Sequence, residues 1–308
     1  MARFLFYTDI HLAAKCPRHR VDNYANSIVE KVSEIYEIAS VEGCDFVIFG
    51  GDFFNSHMVF SYELINNVMD VICNSDLQTY SIVGQHDLKG YNPETLKSST
   101  LAFVTKYCDK FEILNGVKEL GDVALYHSHV WQDVRVDCAQ EVGKGKVNVL
   151  IAHHLLSKDL DVFEVVKTST IEPCNFDLVL SGDLHTGFET HSVGNTVFAN
   201  PGSIARQSIS DKSRHPMVLV VDVELGVVPV VKEILLSRAK DGEEVFGVDV
   251  IEGLREMATM DGGEFVDQVR ALEMEAVDVF DLVEKLSVEK GVRKEVVSYI
   301  LSKKTDGG

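Results

Sequence analysis

The sequence predicts an α/β fold: a mostly parallel sheet, a second sheet packed face to face on it, helices outside, and a helical appendage at the C-terminus. Three observations carry this. Strand-like and helix-like segments alternate from the N-terminus to about Phe111, the pattern of βαβ units. From there to about residue 235, strand-like runs dominate, most joined by turns too short for a helix. Beyond Glu243 the strand signals stop and the chain turns acidic and helical in pattern.

RFLFYT reads as the first strand. SIVEKVSEIYEIASVEG follows as an amphipathic helix, with Ile28, Val32, Ile35 and Ile38 three or four apart and Gly43 as its stop. CDFVIFG is a second strand, YELINNVMDVICN a second helix, TYSIV a third strand and ETLKSSTLAFVTKYC a third helix. FEIL, VALYHSHV, VNVLIAH, FDLVLSG, TVFAN, MVLVVDV and VVPVVKEILL are strands of the second half, interrupted by a helical pattern near residues 156–168. VIEGLREMATM, EFVDQVRALEMEAVDVFDLVEKLSVEKG and RKEVVSYILSKK read as helices, with a break at Gly262 and Gly263. The domain boundary is therefore expected at Asp241, with residues 1–240 as the main domain and 241–308 as an acidic helical module. Its apolar positions Val266, Val269, Leu272, Val277, Phe280 and Val283 form a stripe that needs a cover, internal or intermolecular.

The chain has 308 residues, 45% hydrophobic and 25% charged, ordinary for a globular protein. The net charge of −19 is not ordinary. It repels nucleic acid at long range, so any such partner requires a local basic site, bound cations or a second protein. Residues 241–308 alone hold 17 acidic against 8 basic side chains. Cys16, Cys44, Cys73, Cys108, Cys138 and Cys174 are scattered without a CxxC pair, which suits free thiols in a reducing compartment. The apolar start, Phe4 to Tyr7, is too short for a signal segment or a membrane span. The expectation is a cytoplasmic protein with no membrane partner.

The chemistry collects at the strand ends. The first strand ends in Asp9-Ile10-His11, the second in Gly50-Gly51-Asp52, the third in Gly84-Gln85-His86-Asp87. VNVLIA ends in His153-His154, and FDLVL in Ser181-Gly182-Asp183-Leu184-His185. Taken singly, each has a bland explanation: a capping Asp, a tight glycine turn, a solvated histidine. Five in succession at the edge where open α/β sheets bind ligands is a joint signal. Carboxylates crowded together raise one another's pKa unless a cation sits among them. Mixed oxygen and nitrogen donors suit manganese, iron or zinc better than calcium, and there are enough for two ions.

Asp9-x-His11, Gly51-Asp52, Gly84-Gln85-His86-Asp87, His153 and Gly182-Asp183-x-His185 resemble the ordered motif set of the calcineurin-like metallophosphoesterases, over roughly residues 3–235. The resemblance implies a four-layer αββα sandwich and a phosphoester hydrolase with two divalent ions. Asp9, His11 and His185 would hold the first ion, Asp52 would bridge, and Gln85, His153 and Asp183 would hold the second. His86 would face the phosphate and protonate the leaving oxygen. The family's Asn is replaced here by Gln85 and its first GHxH histidine by Asp183. Gln85 keeps an amide oxygen on a longer stem, and Asp183 offers a charged oxygen where an imidazole would offer a nitrogen. The second site becomes richer in hard oxygen donors, which favours manganese or magnesium.

FYTDIHL, VIFGGDFFNS, NVLIAHH and Asn200-Pro201-Gly202-Ser203 with Arg206 look most like the SbcD-like double-strand-break-repair nucleases, including phage versions. That likeness implies DNA as substrate, an SbcC-like ATPase or a second copy of the chain as partner of the helical module, and Arg206 and Asn55 as substrate contacts. Lys212 and Arg214 would add local positive charge. The alternatives are a phosphatase or cyclic-nucleotide phosphodiesterase on the same scaffold, or a binding protein without catalysis. His127 and His129 alternate along a strand and share one face, either as extra ligands or as one side of a half-buried strand. Trp131, the single tryptophan, is expected in the core or at an interface. Asp87 either orients His86 or caps the turn.

Overall fold

The computed structural model describes residues 1–160 and 165–246. The helices expected from residue 247 onward, with their apolar stripe, lie outside that range. Met1–Phe246 form one compact unit, and residues 241–246, read from sequence as the start of the tail, belong to it through the buried Val245 and Phe246.

The first half runs β1 (Ala2–Tyr7), α1 (Tyr24–Val41), β2 (Phe46–Phe49), α2 (Tyr62–Cys73), β3 (Gln78–Ser81), α3 (Thr100–Tyr107) and β4 (Phe111–Ile113). Then come β5 (Lys118–Leu120), β6 (Val123–Ser128), α4 (Val134–Ala139), β7 (Val147–His153), β8 (Leu156–Ser157), β9 (Val166–Lys167), β10 (Leu178–Gly182), β11 (Phe188–Val193), β12 (Thr196–Asn200), β13 (Met217–Val223), β14 (Val230–Leu235) and the single turn α5 (Gly242–Val245).

Two six-stranded sheets result, ordered β14-β13-β1-β2-β3-β4 and β11-β12-β10-β7-β6-β5. In the first, β1 to β4 are parallel, and β13 joins β1 antiparallel. In the second, β6, β7, β10 and β12 are parallel. Alternate residues of each central strand face opposite layers. Phe4, Phe6, Ile48, Leu125, Val149, Ile151 and Leu180 meet between the sheets. Leu5, Tyr7, Val47 and Phe49 point the other way, onto Ile28, Val32 and Ile35 of α1 and Leu64, Val68 and Ile72 of α2. On the outer face of the second sheet, Tyr126, Leu150 and Phe198 pack under Val134 and Cys138 of α4 and the segment carrying Ile171 and Phe176. This is the four-layer αββα sandwich.

Three sequence expectations need correcting. No helix forms near residues 156–168 among the described residues; β8 and β9 pair there instead. The third helix is split at Ser99, whose hydroxyl accepts the Ala102 N–H and so starts α3 afresh. Cys73 and Cys108 are joined in a disulfide, their Cα atoms 5.7 Å apart, because the ends of α2 and α3 pack side by side; no sequence spacing announces that contact. No helix among the described residues is long and apolar enough to cross a membrane.

Candidate metal centre

Because β1, β2 and β3 are parallel, and β7 and β10 are parallel, each sheet delivers its strand ends to one edge. The strand ends of the first sheet are laced to each other, and a hydrogen bond ties them to the second sheet. The Asp9 N–H donates to the Gly51 carbonyl (3.1 Å) and His11 N–H to the Asp52 carbonyl (3.1 Å). His153 Nδ1 donates across the sheets to the Gly50 carbonyl (2.7 Å), which leaves its Nε2 as the nitrogen facing the centre. Glycine is required at two of these joins. A Cβ on Gly51, at φ +100°, would lie 2.5 Å from His153 Nδ1, and one on Gly84 would collide with the Asp52 carboxylate.

The structure brings Asp9, His11, Asp52, His86, His153 and His185 together. Asp9, His11 and His185 form one group of converging donor atoms, Asp9, Asp52 and His153 a second, and His11, Asp52 and His86 a third. Asp9 Oδ1 lies 3.6 Å from both His11 Nε2 and His185 Nε2. Asp52 Oδ2 lies 3.5 Å from His153 Nε2 and 3.8 Å from His11 Nε2, between nitrogens of two of the donor groups. Gln85 Nε2 donates to Asp183 Oδ1 at 2.5 Å, and the Asp183 N–H donates to Asp9 Oδ2 at 3.2 Å.

Each carboxylate is half engaged. Asp9 Oδ2 accepts from the Thr8 hydroxyl (2.6 Å), and Asp52 Oδ1 accepts from the His86 N–H (2.8 Å). Asp9 Oδ1, Asp52 Oδ2, Gln85 Oε1 and His153 Nε2 are buried and have no partner. Buried polar atoms without partners are costly. Three oxygens and a nitrogen left bare at the same edge, close to further imidazoles, are a donor set that fits divalent cations.

The backbone supports this reading. Asp9, His11, Asp52 and Asp183 adopt positive φ of 55°, 42°, 55° and 73°, four of the five such non-glycine residues among those described. Each costs on the order of 1–3 kcal/mol and persists only where its surroundings enforce it.

Charge follows geometry. Burial alone would raise the Asp9 carboxyl, but His11, His153 and His185 hold it well below the ordinary carboxylate range. Burial likewise opposes charge on His11 and His153, yet Asp52 and Asp9 push both imidazoles up. Asp183 is raised, by burial first and then by Asp9 and Asp52.

His154, the neighbour of His153, is not in the set. Its Nε2 meets the Ser128 hydroxyl at 2.9 Å, and burial pushes it down to about 4. Asp87 does not reach His86. Its Oδ2 accepts the Asp52 and Gly84 N–H groups (3.2 and 3.1 Å) and its Oδ1 the Phe54 N–H (3.3 Å), so it clamps two motif loops together. Burial and Asp52 push it up to about 7. His86 is oriented instead by the carbonyl of Asn55, which accepts from its Nδ1 at 3.1 Å; the Asn55 side chain accepts from Gln207 Nε2 at 2.7 Å.

Arg206 stands apart from its expected role as a phosphate contact. Its side chain is 2% exposed, with the guanidinium on the carbonyls of Arg214 and Lys240, so burial removes it from the substrate's reach. Lys212 pairs with Glu243, and Arg214 donates to the Ala205 carbonyl (2.9 Å). The Asn200–Ser203 turn is structural too: Ser203 Oγ donates to the Asp9 carbonyl (2.8 Å) and its N–H to the His185 carbonyl (3.0 Å), pinning two motif loops. The holding roles of Thr8 and Ser203 are not legible in the sequence: Thr8 adjoins Asp9 with no signal that its hydroxyl meets that carboxylate, and only the fold brings the Ser203 hydroxyl to Asp9.

Fold and donor set define a metal-dependent phosphoester hydrolase scaffold. Sequence comparison matches the calcineurin-like phosphoesterase family over residues 2–187. The chain belongs to that family, whose fold uses a dinuclear metal site. No curated protein matches the sequence. Among solved structures, TT1561 of Thermus thermophilus is similar at 10% identity and a TM-score of 0.50, covering 76% of this chain and 99% of that one. A purple acid phosphatase from yellow lupin seeds is similar at 11% identity and 0.50, covering 78% of this chain and about half, 52%, of its own length. At such identities the likeness is one of fold.

Proposed function

We propose that the protein is a metal-dependent phosphodiesterase acting on DNA, a nuclease of the SbcD type, with Asp9, His11 and His185 around one ion, Asp52 between, and Gln85, His153 and Asp183 around the other. The observation that carries the hydrolase is the set of bare, buried donor atoms on Asp9, Asp52, Gln85 and His153 beside His86. DNA as substrate is supported by the motif wording at Asp9, Asp52, His153 and Asn200, which resembles that nuclease branch. The ions would supply a nucleophilic water at neutral pH and neutralise charge on phosphorus.

The chain's own residues do the rest. With Nδ1–H donated to the Asn55 carbonyl, His86 can hold a proton at Nε2 for the leaving oxygen. Thr8 and the Asp183 N–H hold Asp9 Oδ2, so that Oδ1 alone faces the centre. Asp183 replaces an imidazole nitrogen by a carboxylate oxygen at the second position while Gln85 keeps an amide oxygen, which favours manganese over zinc.

The test is incubation with manganese and three substrates in parallel. Cleavage of linear DNA and of bis-nitrophenyl phosphate supports the nuclease. Turnover of the nitrophenyl monoester alone makes it a phosphatase, and no turnover makes it a binding scaffold. Calorimetric titration is expected to show two manganese ions per chain; one ion with full activity would overturn the second site.

A further inference from the structure

At the same edge, outside the metal set, lies a stack of three rings. His127 and His129 are stacked with centroids 4.3 Å apart, and His129 and Trp131 with centroids 4.6 Å apart, both pairs inclined by 26°. The inner rings cannot turn. His129 Nδ1 accepts the Val83 N–H and its Nε2 donates to the Leu114 carbonyl, both at 3.1 Å. His127 Nε2 accepts the Gly116 N–H (2.9 Å) and its Nδ1 donates to Gln132 Oε1 (3.0 Å). Both residues flanking Trp131 are tied: the Val130 N–H to the Val83 carbonyl (3.3 Å), and Gln132 Oε1 to the His129 N–H (2.9 Å). Trp131 itself remains 39% exposed.

Its place is defined by register. Ser128 pairs with Ala152, the residue before His153. Val83, which contacts Val130, is two residues before Gln85. The exposed indole therefore sits on the segment that continues β6 past the metal edge. Other exposed aromatic side chains on neighbouring loops, Phe60 and Tyr91, have no such backing ring among the described residues.

We propose that Trp131 is a stacking platform for a nucleobase of the substrate strand beside the phosphate held at the metal centre. This rests on the nuclease reading above. A π-face recognises every base and is indifferent to backbone charge, which matters in a chain of net charge −19. A platform fixed before binding loses little entropy when it is used.

Because Trp131 is the single tryptophan, its emission reports on this position alone. The probes are a nuclease-resistant phosphorothioate oligothymidylate and an abasic strand with the same backbone and length, both with manganese. Saturable quenching by the thymidylate strand, without quenching by the abasic one, is expected. With cleavable strands, the preference for thymidylate over abasic, read as a KM ratio, is expected to fall about 5- to 100-fold in Trp131→Ala. Trp131→Phe should keep most of it, and the melting temperature of each variant checks folding. Equal quenching by both strands, no quenching, or an unchanged KM ratio overturns the platform. If thymidylate quenches selectively but no strand is cut, the platform stands and the nuclease reading fails. If strands are cut with no base preference in the unsubstituted protein, the nuclease stands and the platform fails.

Discussion

Two groups of histidines occupy one edge of this molecule and could hardly differ more. In the metal cradle, His153 keeps Nε2 bare although it is fully buried, and Asp9, Asp52 and Gln85 each leave an oxygen unpartnered beside it. In the ring stack, His127 and His129 have a backbone or side-chain partner on every ring nitrogen. Burial is similar for His153 and His129; satisfaction is not. A buried histidine whose second nitrogen is left bare beside carboxylates is built for a cation, and one with both nitrogens bonded is built to stay. Protonation follows the same line: carboxylates push His153 up, whereas burial and the neighbouring His127 push His129 down to about 3.

The largest expected effect comes from erasing the cradle's bare oxygen. Asp52→Asn is expected to abolish manganese uptake in calorimetry and to reduce diester hydrolysis to background, with the fold retained by circular dichroism. Full manganese uptake would break the distinction. Next is His86→Asn, which touches no bare ligand atom and should leave metal content intact while lowering kcat on linear DNA by roughly 10²- to 10⁴-fold, and less on bis-nitrophenyl phosphate, whose leaving group departs without a proton. Metal content by elemental analysis and single-turnover kinetics separate the two variants.

Metal itself should act on stability. Manganese at about a hundred times its dissociation constant should add about 2.7 kcal/mol, raising the melting temperature by roughly 5–10 °C. Asp52→Asn should lose that rise and Trp131→Ala should keep it.

The smallest effect is on pH. The folded protein holds His129 near 3, while the unfolded chain would protonate it near the ordinary value of about 6.5. Unfolding therefore takes up a proton below pH 6.5, and stability present above that pH is lost as the pH falls toward 3. The loss attributable to His129 should be about 2 kcal/mol at pH 5 relative to pH 8. Urea denaturation of the unsubstituted chain and of His129→Gln checks it; the variant should show the shallower decline.

How much of this could be read from the letters depends on how local each feature is. The gathering of Asp9, His11, Asp52, His86, His153 and His185 at one edge was legible because each lies at the end of an apolar run, and parallel strands carry such ends to one side. Helices α1 and α2 were legible through their apolar spacing. Strands β5 and β11 were not, since they are short or only partly buried edge strands whose side chains show no clean apolar alternation. The six-residue α4 has too few turns to show a period. Arg206 was misjudged because a basic residue after a turn looks solvated until Lys240 and Arg214 close over it. The role of Asp87 rests on amides of residues 52, 54 and 84, a triangle visible only after folding.

The left-handed backbone at Asp9, His11, Asp52 and Asp183 carries a last consequence. The backbone alone would be more comfortable there as glycine, so conformation and donor set pull those positions in opposite directions. Asp183→Gly, for instance, should melt later in chelator than the unsubstituted chain while forfeiting a ligand. At these four sites the backbone favours glycine, and the side chains' hydrogen bonds and their donor atoms at the candidate metal centre stand against it.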